Sequence, residues 1–161
     1  MTSENDRQAT IEENRDMTLH AFNAGCNIVG FRKNGIDYGM CCAWAQMLDY
    51  DRISLLLGAQ SVTGAALAIG DVIGVSALAE GQEDVARRLG EGHSGQADKY
   101  RDVGFDRSDT AILIRGARTR MICEVVDVMR LPAIEADRFV VLKVRSFTQD
   151  ERAAFLSAYF E

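Results

Sequence analysis

The sequence predicts a mainly β fold, an antiparallel barrel with peripheral helices. Three observations carry this expectation. At least six short apolar runs of strand length recur from residue 18 onward, separated by turn residues, as in barrels rather than helical bundles. One pair of runs is joined by Asn34-Gly35, and a two-residue hairpin turn of the primed type needs positive φ at both positions, which Asn and Gly tolerate best. Near the C-terminus, Val140, Leu142 and Val144 alternate with Val141, Lys143 and Arg145, the period of two that turns one side of a strand into a core.

Taken in order, residues 1–17 are polar and charged around a lone Ile11 and read as a frayed arm or short helix, leaving residues 18–161 as one domain. Apolar runs follow at 19–22, 27–31 and, beyond the Asn34-Gly35 turn, 38–47. Residues 53–57 are wholly apolar and short enough for a buried strand. Ser61 or Thr63 then caps a short helix in a small-residue segment ending at Gly70. A second buried strand is expected over 71–78. A helix should follow over 82–89, with Val85, Ala86 and Leu89 on one face and Gly90 as its stop. Residues 91–109, rich in Gly, Ser and Asp, read mostly as loop. Strands are expected at 111–115, 119–129 and 138–147, and the spacing of Ala154, Phe155, Ala158 and Tyr159 predicts a final helix over 150–160.

Composition narrows the function classes. With 161 residues and 47% hydrophobic content, the chain can bury a core without staples. Its net charge is -6 and its basic residues come no denser than Arg32-Lys33 and Arg87-Arg88, so no nucleic-acid partner is expected. Cys26, Cys41, Cys42 and Cys123 form no CxxC pair and do not sit at zinc-ligand spacing with His20 or His93, so no metal site is expected. There is neither an apolar leader nor an apolar run of spanning length, which points to a cytoplasmic protein with free thiols and no membrane association. Gly-rich dinucleotide loops, P-loops and Ser/His/Asp signatures are missing, so no catalytic side chain can be named from short motifs.

A longer pattern is informative. Asn34-Gly35, then Gly39-Met40-Cys41-Cys42-Ala43-Trp44-Ala45-Gln46, then Asp51, an apolar strand, Gln60-Ser61-Val62-Thr63, a short helix and Asp71 follow one another in that order. So do Leu78-Ala79-Glu80-Gly81-Gln82, Arg88-Leu89-Gly90, Ser94-Gly95, Asp98-Lys99-Tyr100 and Met121-Ile122-Cys123-Glu124-Val125. The ordered set, spanning roughly residues 18–147, resembles the flavin reductase-like FMN-binding split-barrel family. The resemblance implies an antiparallel, Greek-key-like split β-barrel that forms a homodimer and holds FMN, or exchangeable FAD, at the subunit boundary. It also implies an oxidoreductase that passes electrons from NAD(P)H or a redox partner protein through the flavin to an acceptor. The chemistry would belong to the cofactor, so no side-chain acid or base need stand out.

Residue by residue, the resemblance puts Met40, Cys41, Cys42, Ala43 and Gln46 along the flavin ring system, where small residues let the ring approach backbone. Gln60, Ser61, Val62 and Thr63 would meet the phosphate, since a helix start offers unpaired N–H groups and these residues add two hydroxyls. Lys99 would lie near the flavin or the dimer interface. Many family members carry a Gly-Asp-His element before the last long strand; residues 131–139 contain no histidine, and His93 in the loop at 91–95 is the candidate to substitute for it. Cys41 and Cys42 are adjacent, so on a strand their side chains point to opposite faces, and one should be core while the other faces the ligand. Trp44 reads as a core or interface aromatic. A rival reading keeps the barrel and drops the catalysis: a binding protein for flavin, haem or another planar ligand.

Overall fold

The computed structural model describes residues 25–91 and 98–157. The expected arm at 1–17, the apolar run at 19–22 and His93 lie outside those residues. The first hairpin is formed by β1 (Asn27–Lys33) and β2 (Ile36–Cys42), with Lys33 opposite Ile36 and a turn in which Asn34 has φ 52° and Gly35 φ 77°. β3 (Ala45–Asp49) and β4 (Arg52–Leu57) make the second hairpin. Helix α1 (Val62–Ala66) leads to β5 (Val72–Ala77), and α2 (Glu83–Gly90) follows. β6 (Phe105–Ser108), β7 (Ala111–Ile114), β8 (Thr119–Met129) and β9 (Arg138–Gln149) complete the order.

All of these strands belong to one antiparallel sheet, ordered β3-β4-β9-β8-β5-β1-β7-β6, with β2 on the other edge of β1. The sheet closes because the run at 38–47 is not one strand. It breaks at Ala43-Trp44, so that its first half pairs with β1 and its second half with β4, and Leu56 N–H donates to Trp44 O at 2.9 Å across the corner. One bent stretch of chain therefore joins the two ends of β4-β9-β8-β5-β1 into a barrel, which leaves those strands without an open edge.

Alternation divides the apolar side chains between two cores. Val29, Phe31, Leu55, Ile73, Val75, Met121, Val140 and Leu142 fill the barrel interior. Ile28, Leu78, Leu89, Tyr100, Ile112 and Ile114 pack outside it, beneath α2 and β7. β1 supplies both sets because neighbouring strand residues point to opposite faces. Its outer edge is also shared: Asn27–Gly30 pair with β5, whereas Phe31 pairs with Ala111 of β7.

Three expectations need correction. β6 lies inside the stretch expected to be loop; its polar residues pair with β7, and Arg107 grips Asp37 of β2 through two bonds of 2.8 and 2.6 Å. Residues 150–157 are not helical. Their backbone groups bond across the fold instead, Glu80 N–H to Ala154 O (3.0 Å), Leu156 N–H to Leu78 O (2.9 Å) and Cys26 N–H to Leu156 O (3.2 Å), while the Arg118 guanidinium sits 4.7 Å over the Phe155 ring. Tertiary pairing has overridden a helical spacing; residues 158–160 lie outside the described set. Gly90 is the last residue of α2 rather than a left-handed stop, and the cap is Glu91 at φ -101°, whose N–H donates to Arg87 O.

Candidate functional site

The site is organised by the carbonyl of Gly39, midway along β2. Lys99 Nζ donates to Gly39 O at 2.7 Å and Thr63 Oγ1 donates to it at 3.4 Å. Thr63 and Lys99 are both buried, and burial pushes the Lys99 ammonium below the usual lysine pKa against the opposing pull of nearby Cys41. Next along the strand, the Ser61 hydroxyl donates to Met40 Sδ at 3.1 Å while accepting from Gly64 N–H at 2.8 Å, which makes Ser61 the cap of α1. Residues far apart in sequence thus meet at Gly39-Met40.

The adjoining Tyr100 side chain explains why β2 carries glycine there. Its hydroxyl donates to Tyr38 O at 2.7 Å, and a Cβ on Gly39 would lie 2.5 Å from that hydroxyl oxygen. Gly39, Gly30 and Gly74 stand opposite one another across β2, β1 and β5. Their missing side chains leave a trough that the Tyr100 ring and the Ile112 backbone occupy.

The remaining sequence-selected residues run around the rim from this point. Cys42 faces the barrel interior, with its thiol toward Trp44 O (3.5 Å) and Leu56 O (3.7 Å), while Cys41 lies on the opposite face, its free thiol hydrogen-bonded to that of Cys26 and packed on the outer core, so each of the two packs against a core where one was expected to face the ligand. Ala43, Gln46, Gln60 and Val62 are exposed; Met40 and Ser61 are half-buried. Val62 N–H, the first of α1, has no acceptor among the described residues. Trp44 is 70% exposed, so of its two expected roles the core one is excluded. No group of three or more metal-ligating side chains occurs among the described residues.

The thiols are set against redox chemistry. Desolvation pushes Cys41 up to about 12 and Cys42 up to about 11, and raises the fully enclosed Cys123 as well. A pKa of 12 leaves on the order of 10⁻⁴ of a thiol ionised at pH 8. Iodoacetamide at pH 8 is therefore expected to leave Cys41, Cys42 and Cys123 of the native protein unmodified over an hour and to label them all in denaturant, read by mass spectrometry. Fast native labelling of Cys42 would contradict the packing.

Sequence reasoning missed Asp137 and Arg138. Asp137 Oδ1 accepts from Ala59 N–H at 2.9 Å, just ahead of the Gln60–Thr63 segment, while Arg138 donates to the carbonyls of Gly64 and of Leu67, the latter at 2.9 Å. The β8–β9 connection thereby holds both ends of α1. The contacts span more than 70 residues, so no local pattern could have revealed them.

The sequence pattern of the flavin reductase like domain matches residues 19–160, almost the whole chain. The chain belongs to that family. Solved structures share the fold at low sequence identity. An NADH:FAD oxidoreductase of Streptomyces globisporus superposes with a TM-score of 0.74 at 19% identity, covering 96% of this chain and 90% of its own. A flavin reductase domain protein of Arthrobacter gives 0.71 at 17%, covering 89% and 88%. An FMN-binding protein of Thermus thermophilus, solved with p-hydroxybenzaldehyde, gives 0.69 at 18%, covering 82% and 75%. Among curated proteins, none matches this sequence. The barrel of this flavin reductase-like chain is thus the split barrel of its family, and no helix of its described residues is long and apolar enough to cross a membrane.

Proposed function

We propose that this chain is a cytoplasmic FMN-dependent oxidoreductase, with the flavin lying along Met40–Gln46 and its phosphate at Ser61–Thr63. The observation that carries the reading is the convergence of β2, the start of α1 and Lys99 on Gly39-Met40, in a chain of the flavin reductase-like family. The donor set suits a phosphate. Ser61 gives its proton to a thioether, a weak acceptor, so a phosphate oxygen can take that proton at little cost. Val62 N–H offers a second donor. Ala43 is exposed and small, which lets a planar ring approach the backbone between β2 and β3.

FMN, when bound, would supply hydride acceptance and electron release. The chain's own residues bind and orient. Lys99 and Thr63 fix the Gly39 carbonyl and with it the height of β2, Ser61 and Val62 anchor the anion, and Asp137 and Arg138 hold α1 in place. A second copy of the chain would cover Trp44 and Leu48, which are 70% and 51% exposed on and beside edge strand β3, and so bring the flavin to a subunit boundary. FAD is the alternative flavin, and NAD(P)H or a reduced redox protein the donor.

The test is anaerobic titration of the purified protein with FMN, followed by NADH, NADPH and then dithionite. Saturable uptake of FMN and bleaching by a nicotinamide support the reductase. Bleaching by dithionite alone makes the protein a carrier served by another protein. Failure to bind either flavin overturns the reading in favour of a holder for another planar ligand. In sedimentation, Trp44→Asp is expected to convert dimer to monomer.

A further inference from the structure

A groove of about 390 Å³ opens between the residues that follow α1 and the mouth of the β8–β9 hairpin. Its walls are apolar, formed by Leu67, Ile69, Val128 and Met129, and its polar side chains are Arg130 and Arg138. Among the described residues, no acidic side chain lines it. The chain carries a net charge of -6, and Arg32, Arg107, Arg115, Arg120 and Arg145 all face carboxylates. Neither Arg130 nor Arg138 has a carboxylate within 4 Å among the described residues; both bond to backbone carbonyls, Arg130 to that of Glu135 and Arg138 to those of Gly64 and Leu67.

Those bonds orient the guanidinium groups without neutralising them. A guanidinium has five N–H donors, and the backbone takes two from Arg138 and one from Arg130, so each keeps donors for an oxyanion. The apolar surface also waits for cover: Ile69 is 66% exposed and Met129 39%. The volume falls at the lower end of the range for small-molecule sites. Two positive charges beside an apolar trough select a ligand with an anionic head and a short apolar body.

We propose that this groove binds a small apolar carboxylate, its head group on Arg130 and Arg138 and its hydrocarbon body against Leu67, Ile69, Val128 and Met129. The proposal does not rest on the flavin reading, since it concerns the opposite end of α1 from Ser61. Through Arg138 and the Leu67 carbonyl, an occupant would touch the same helix that Ser61 caps.

Two probes of equal shape test it: 3-phenylpropanoate and its neutral amide, 3-phenylpropanamide, titrated calorimetrically into the protein as purified. The carboxylate is expected to bind once per chain and at least tenfold more tightly than the amide. Arg130→Met, which removes only a contact within the hairpin loop, should weaken the carboxylate at least tenfold without altering the circular dichroism spectrum. Ile69→Asp should do the same by placing a like charge in the trough. Equal affinity for the two probes, or no binding up to millimolar concentration, overturns the proposal. So does stoichiometric displacement of 3-phenylpropanoate by FMN, which would assign the groove to the flavin; FMN and carboxylate binding together upholds it, and the carboxylate binding where no flavin does leaves it standing without the flavin reading.

Discussion

Gly74→Ala is expected to cost about 4 kcal/mol of folding stability, a large share of the total for a domain of this size. An added Cβ would sit 2.0 Å from the Ile112 carbonyl oxygen and 2.7 Å from its carbon, and these are backbone atoms that cannot rotate away. The approach is forced by topology, because β1 pairs with both β5 and β7 along one edge and brings the Ile112 backbone over the glycine row. Gly58→Ala, with nothing within 4 Å of the new methyl, should change stability by less than about 1 kcal/mol. Gly39→Ala should fall between the two. Its obstacle is the end of a side chain, the Tyr100 hydroxyl, so Tyr100→Phe is expected to recover part of the Gly39→Ala loss and none of the Gly74→Ala loss. Urea denaturation of the single and double variants reads all of these; equal recovery in both pairs would contradict the geometry.

Val62→Glu should weaken FMN ten- to hundredfold and leave riboflavin affinity within a factor of two. The two ligands differ by the phosphate, and unit charges about 5 Å apart repel by roughly 2–3 kcal/mol at an effective dielectric of about 20–40. Val62 is the right position because it is exposed and its N–H opens α1, where glutamate is well tolerated, so the fold is undisturbed. Thr63, which the sequence pattern favours equally, is the wrong one: it is 3% exposed with its hydroxyl on the Gly39 carbonyl, and a carboxylate there would disrupt the packing for both ligands alike. Fluorescence titration with FMN and riboflavin distinguishes the cases. Parallel loss of both would move the phosphate away from Ser61–Thr63.

The features that could be read from the chain were those governed by neighbours in sequence. Asn34-Gly35 announced its turn because the positive φ values are a property of two residues. Ser61 announced its cap because the N–H it accepts from is only three residues away. The inward face of β9 followed from the alternation of Val140, Leu142 and Val144, which are 0–3% exposed. Phe155 and its neighbours misled for the converse reason: their spacing suits a helix, but their hydrogen-bond partners lie on β5's continuation and before β1, and a six-residue spacing pattern carries no information about those.

The amino-acid order by itself determined most of the strands, the first hairpin, the start of α1 and the family, because local sterics and periodic burial act within a few residues. Which groups share the site was decided only by the tertiary structure. Lys99 reaches Gly39 across 60 residues, Arg138 reaches Gly64 across 74, and the corner at Ala43-Trp44 exists only because β4 is there to pair with the chain beyond it. Barrel closure supplies these encounters, and closure is a property of the whole sheet rather than of any segment in it.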